Sequence, residues 1–187
     1  MAADEAPREY RTGSDPRTLR DALGCFATGV TVVTCFDADG SPVGLTANSF
    51  TSVSLDPPLL LWCIAGTSSS AGLFEPGMPF AVHVLAHEQR DLAMHFARKN
   101  RAKFDVDRHW RANPHPPHIA DVLCRFDCRV HARHDGGDHV IVVGEVTGIT
   151  QQPGAPLTFH AGRFGAIEPE RGTVRIDPWG GREGEWM

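Results

Sequence analysis

Residues 42–58 read PVGLTANSFTSVSLDPP. The stretch is strand-like, yet it carries two Thr, three Ser and an Asn. A strand that only builds a core has no use for so many hydrogen-bonding side chains at adjacent positions. Hydroxyls, an amide and exposed backbone N–H groups gathered in this way suit a polar, ring-bearing ligand and its phosphate. The competing reading is a Ser/Thr-rich loop that satisfies its own backbone.

Strand signals continue on both sides. Residues 30–36, VTVVTCF, are β-branched and aromatic, and Asp37-Ala38-Asp39-Gly40 is a turn before the chain returns over 43–47. Residues 59–64 form a continuous apolar run, which predicts a strand buried on both faces. Residues 80–85 read as another strand. Over 122–133 the pattern alternates, with Val122, Cys124, Phe126, Cys128 and Val130 facing one way. A tight turn at 135–138 then leads into a strand over 139–149, and 157–160 is the last short strand. Two helices are predicted. One starts at Asp15-Pro16, carries Leu19, Ala22, Leu23 and Phe26 on one face and stops at Gly29. The other covers 87–97, with Leu92 and Phe96 on its apolar face. Residues 100–118 are loop-like. Many short strands with only two helices argue for a closed or nearly closed antiparallel barrel.

Composition bounds the rest. The 187 residues suffice for one domain, 41% of them are hydrophobic, and the net charge is −5 with mixed signs, so neither disorder nor nucleic-acid binding is indicated. No apolar run approaches a membrane span and the N-terminus lacks a signal-peptide core, which predicts a cytoplasmic protein. The five Cys are odd in number and scattered, as reduced and buried thiols are. Cys124 and Cys128 share a strand face, where core packing outweighs metal binding. The pairs His83/His87 and His115/His118 have metal-like spacing and no third ligand. No GxGxxG turn is present, so any dinucleotide binds without a Rossmann unit.

Four segments occur in order: GCFATGVTVVT (24–34), GLTANSFTSVSLDPPLLL (44–61), HDGGDHVIVVGEV (134–146) and HAGRFGAIEPE (160–170). Together they resemble the short flavin reductases that serve two-component flavin-dependent monooxygenases, over nearly the whole of 16–170. The resemblance implies a mainly β fold, an antiparallel, Greek-key-like FMN-binding split β-barrel with a few helices, usually a homodimer. Around the reductase domain (15–170), the polar residues 1–14 read as a flexible N-terminal arm, and the Gly-, Arg- and Glu-rich tail (171–187), with Trp179 and Trp186, as an irregular segment that packs on a partner subunit. The resemblance also implies an NAD(P)H:flavin oxidoreductase that passes hydride from NADH, or NADPH, to a diffusible FMN or FAD. The reduced flavin then goes to a partner monooxygenase. The rival readings are a flavin-binding sensor or carrier, and a tightly flavinylated oxidase on the same barrel.

Residue by residue, the resemblance places Thr46, Ala47, Asn48 and Ser49 along the flavin ring or ribityl chain. Cys63, Ala65, Thr67, Ser68 and Ser69 fall in the next strand and its loop, where hydroxyls and N–H groups suit a phosphate. Relatives often carry a Lys in this loop, and this chain has Gly66-Thr67. The family's basic position after the second helix leaves Lys99, Arg101 and Lys103 as candidates, with Lys103 favoured because Lys103-Phe104 matches a Lys-Phe pair. His139 corresponds to the residue that positions the nicotinamide. Phe159, His160, Gly162, Arg163 and Phe164 correspond to the wall against which NAD(P)H folds, with Phe164 in place of the more frequent Tyr.

Overall fold

The computed structural model describes residues 15–98, 103–104, 110–111 and 116–167. The arm 1–14, the tail 171–187, Lys99 and Arg101 lie outside these. Helix α1 (Pro16–Leu23) begins as the sequence dictates, with Pro16 in its first turn and the Asp15 carboxylate accepting from the Arg17 N–H at 3.0 Å. It ends three residues short of Phe26. The Gly24 N–H donates back to the Arg20 carbonyl at 2.8 Å, and the chain turns away into β1 (Thr28–Gly29), which includes the glycine expected to stop the helix. Of the predicted apolar face, Leu19, Ala22 and Leu23 lie on α1 and Phe26 lies past its end; Leu19, Leu23 and Phe26 are all exposed, uncovered by the described residues.

The strands that follow are β2 (Thr31–Phe36), β3 (Pro42–Ala47), β4 (Thr51–Leu55), β5 (Pro58–Ala65) and β6 (Pro79–Val84). A short 3-10 turn, His87–Gln89, leads into α2 (Arg90–Ala97). Then come β7 (Trp110–Arg111) and β8 (His118–Ile119), a two-stranded pair not foreseen in the sequence. The long hairpin β9 (Cys124–Gly136) and β10 (His139–Gln151) is followed by β11 (Leu157–His160) and β12 (Arg163–Ala166). Strand β9 starts two residues later than predicted and runs into the expected turn, which contracts to Gly137-Asp138, with Gly137 at φ 74°. Strand β12 was also missed. It forms because Ala161 and Gly162 both take positive φ, 48° and 76°, which closes a two-residue hairpin on β11.

Seven strands make one antiparallel sheet in the order β3-β2-β6-β9-β10-β5-β4. Strands β3 and β4 are consecutive and only residues 48–50 separate them, yet they occupy opposite edges. Three residues span at most about 10 Å. The sheet must therefore curl until its edges nearly meet, which is the expected split barrel. The return of β6 beside β2, after the β4–β5 hairpin has formed on the far edge, gives it the Greek-key order.

The interior packs Val33, Cys35, Leu60, Trp62, Phe74, Phe80, Val82, Cys128, Val130 and Val142. The Trp62 and Phe74 rings meet edge-on at 4.7 Å. A second core lies outside β2, where Val30 and Val32 meet Leu85, Ala93, Phe96, Phe104, Ile119 and Leu157. Strands β2 and β6 are thus the ones buried on both faces. The prediction had given that place to β5, whose Leu60, Trp62 and Ile64 face inward while Leu59, Leu61 and Cys63 are half-covered. The difference is the cover that α2, β8 and β11 provide on β2.

Buried polar pins hold residues 117–120 over this second core. Thr34 Oγ1 donates to the Pro117 carbonyl, and Gln89 Nε2 donates to Ala120 O at 3.0 Å. His83 is fully buried, with Nδ1 3.0 Å from Val32 O and Nε2 accepting the Ile119 N–H at 3.2 Å. A ring that donates through Nδ1 and accepts through Nε2 is neutral. Burial pushes its pKa down to about 3. Of the five cysteines, all free, Cys35 and Cys128 are buried, Cys63 and Cys124 half-buried and Cys25 exposed, so burial holds for fewer than the sequence suggested. No helix of the described residues is long and apolar enough to cross a membrane.

Candidate functional site

The polar run singled out in the sequence is the seam of the barrel. Where β3 ends, Thr31 Oγ1 donates to Ala47 O at 2.7 Å, and Thr46 Oγ1 donates to the Ala93 carbonyl of α2 at 2.6 Å. Across the seam, Ser49 Oγ accepts the Cys63 N–H at 2.8 Å and lies 3.3 Å from the Cys63 carbonyl. Phe50 anchors the link by stacking on Phe126 at 5.7 Å. Two hydroxyls of the run, Thr46 and Ser49, thus serve backbone groups, but those of α2 and β5 rather than the run's own. Asn48 does not: it is exposed, and its amide takes no hydrogen bond among the described residues.

The end of β5 gathers most of the other candidates. Its register against β10 pairs Cys63 with Ile141 and Ala65 with His139, so these side chains lie on one face. The Gly66 N–H donates to Asp138 O at 2.9 Å, which fastens the β9–β10 turn to the loop after β5. In that loop Ser68 N donates to Ala65 O at 2.9 Å, and Ser68 Oγ accepts from the Ser70 N–H at 3.3 Å. The hydroxyls of Thr67 and Ser69 are exposed and take no partner among the described residues. The loop offers an anion neutral donors and no cation of its own.

His139 stands at the start of β10, half-exposed, with Nδ1 2.7 Å from Asp138 Oδ1. The hydrogen bond from His139 holds the Asp138 carboxyl below the usual carboxylate range, so at neutral pH it is an acceptor and Nδ1 must carry the proton. This fixes the ring and leaves Nε2 open. Asp138 escaped the sequence reading, which saw it only as a turn residue, although its place beside His139 was visible.

Lys103 does not join this group. Its ammonium donates to Gly44 O at 2.9 Å and to Phe96 O at 2.7 Å, and His95 Nε2 meets its carbonyl at 2.7 Å. Burial lowers its pKa from the ordinary lysine value. The adjoining Phe104 packs against Phe96 at 5.1 Å over Gly44, where a Cβ would come within 2.4 Å of the Phe96 ring.

The β11–β12 hairpin divides the remaining candidates. Phe159 and Phe164 pair across it, their rings 5.3 Å apart, and both pack on the second core, with the Arg90 guanidinium 5.7 Å above Phe164. They are half-buried supports rather than an open aromatic wall. His160 and Arg163, paired on the other face of the ladder, and Gly162 at the turn are exposed. Arg90 and Thr31 were not legible as site-supporting residues. The first sits on an exposed helix start, and the second is one more β-branched residue in a strand.

A flavin needs a slot with N–H or hydroxyl groups on its polar edge, donors for its phosphate and open access for a hydride donor. The Asn48 amide, the Thr67 and Ser69 hydroxyls and His139 Nε2, none of them partnered among the described residues, fit that demand. They lie around the end of one strand, linked through Ser49, Cys63 and Ala65.

The class this split barrel falls in is that of flavin-handling oxidoreductases, as comparison with known proteins shows. A family model described as flavin reductase like domain matches residues 23–168. FMN reductase (NADH) SmoA of Agrobacterium fabrum is 49% identical over 154 residues, 82% of this chain and 87% of that one. The reductase subunit HsaB of a flavin-dependent monooxygenase from Rhodococcus jostii is 40% identical over 168 residues, 88% of this chain and 84% of that one. The solved NADH:FAD oxidoreductase SgcE6 of Streptomyces globisporus C-1027, in complex with NAD and FAD fragments, superposes with a TM-score of 0.80 at 38% identity, covering 88% of this chain and 100% of that one. Some relatives are longer, and the chain spans 43% and 58% of two of them. The chain belongs to the flavin reductase family that this domain defines.

Proposed function

We propose that this flavin reductase passes hydride from NADH to an exchangeable flavin, FMN or FAD, and releases the reduced flavin to a partner monooxygenase. The observation that carries the reading is the meeting of the seam, the loop after β5 and the Asp138–His139 turn at the end of one strand. The names of SmoA and SgcE6 support NADH with either flavin, and that of HsaB supports the monooxygenase partner.

In this reading Asn48 and the backbone of 46–49 bind the flavin's polar edge. Thr67, Ser68 and Ser69 take its phosphate, and Cys63 and Ala65 floor the slot. His139, held by Asp138, positions the nicotinamide through Nε2, while His160, Gly162 and Arg163 border the rest of the dinucleotide. NADH supplies the hydride and the flavin accepts it. The chain's part is to hold the two rings at near-attack distance, about 3–3.5 Å. No side chain need move a proton in that step. The active form is a homodimer that covers the apolar face of α1. The enzyme works in the cytoplasm, where NADH is supplied and its five free thiols stay reduced.

Steady-state rates with FMN or FAD, each paired with NADH or NADPH, test the reading. Flavin-dependent oxidation of NADH is expected. Absence of flavin-dependent oxidation in all four pairs would overturn it.

A further inference from the structure

We propose that Lys103 is a positioning residue for the flavin, a clamp that holds α2 against β3, and that it is not the cation of the flavin phosphate. This rests on the reading that residues 46–49 line the flavin.

The two carbonyls that Lys103 serves come from different elements. Phe96 O belongs to the last turn of α2, where helix carbonyls have no partner of their own. Gly44 O belongs to β3, the edge of the seven-stranded sheet, beyond which no strand of the described residues supplies an N–H. One ammonium satisfies both and ties the helix end to the sheet edge. Lys103 is itself held, through the bond between its carbonyl and His95 and through Phe104 on Phe96. Absence of a side chain at Gly44 lets the Phe96 ring approach that close.

The clamp sits two residues before Thr46 on β3 and three residues after Ala93 on α2, and Thr46 and Ala93 are themselves joined by a 2.6 Å hydrogen bond. These two ties set how α2 lies along β3, and so where Ala47 and Asn48 emerge at the seam. The side-chain type is informative. The chain has 18 Lys and Arg residues, of which only Lys99 and Lys103 are lysines. A single nitrogen with three donors can converge on two carbonyls, whereas the planar arginine fork spreads its donors apart. A phosphate site would accept arginine readily.

Fluorescence titration with riboflavin and with FMN, on the wild type, Lys103→Met and Lys103→Arg, separates the two roles. With the clamp, both variants bind both flavins more weakly by the same factor, roughly tenfold for the loss of a charged hydrogen-bonding group, while the KM for NADH holds. A loss of FMN affinity alone in Lys103→Met, with Lys103→Arg close to wild type, would overturn the clamp, as would unchanged affinity for both flavins. Lysine acetylation of the intact wild type, followed by peptide mass, keeps the test open where the variants fail to fold. Lys103 should be slow to react with and without FMN. Ready reaction that only FMN suppresses would overturn the proposal. A wild type that binds neither flavin sinks the flavin reading instead, and the acetylation result still judges the clamp.

Discussion

The Ser49 hydroxyl accepts the Cys63 N–H at 2.8 Å and reaches the Cys63 carbonyl at 3.3 Å, so one side chain takes the place of a strand residue at the barrel's seam. Beside it, Asn48 is exposed and its amide takes no hydrogen bond among the described residues. Adjacent residues in one polar run thus have separable duties.

Ser49→Ala should therefore destabilise the protein by about 1–3 kcal/mol, because it strands two backbone groups at the seam. Asn48→Ala should change stability by no more than about 0.5 kcal/mol, yet weaken flavin binding several-fold. Urea denaturation and flavin titration on the same two variants check this. Equal effects on both quantities would mean that the duties are not divided.

How much of this was readable beforehand follows from the range of each interaction. The polar composition of 42–58 marked a site, since local chemistry shows in a local string. Which hydroxyls were already in use did not show, because their partners, Cys63 and Ala93, lie 14 and 47 residues away. Lys103 is the sharpest case. The Lys103-Phe104 pair was visible, but one of its two carbonyl partners, Gly44, is 59 residues distant. The short strands β1, β7, β8 and β12 were invisible, since two to four residues carry too little periodicity to register.

His139→Ala should slow flavin reduction while the barrel stays folded, since the ring is half-exposed and lies on the outer side of a hairpin. Asp138→Asn should slow it less, because it frees the ring to turn without removing it. Stopped-flow reduction at saturating NADH is the measurement. An unchanged rate in His139→Ala would remove that residue from the site.

Acid should destabilise the fold through His83. Its folded pKa of about 3 lies below the ordinary 6.5, so below pH 6.5 the unfolded chain binds a proton that the folded one refuses. Stability is then lost as pH falls through the window from 6.5 to about 3, by up to about 1.4 kcal/mol per pH unit from this group. His83→Gln should be less stable at neutral pH, having lost part of its hold on Val32 and Ile119, and should show a shallower slope. Chemical denaturation at a series of pH values reads both. A slope identical to that of the wild type would place the acid sensitivity elsewhere.

The last prediction concerns α1. Its Leu19 and Leu23, with Phe26 three residues past its end, are 63%, 67% and 78% exposed, three large apolar groups that the described residues of one chain leave in water. Burying such side chains is worth about 1.5–3 kcal/mol each, and a two-fold partner that covers the helix would recover this twice over, since the same face is used by both copies. Leu23→Glu leaves the monomer's cores untouched, because the residue packs on neither, but it puts a charge into the proposed interface. Light scattering should give the wild type a mass near twice its 20.4 kDa chain. The variant should approach one chain mass with its thermal unfolding broadened or lowered only by the loss of the partner. A wild type that scatters as a single chain while reducing flavin at full rate would show that the site is complete without a second copy.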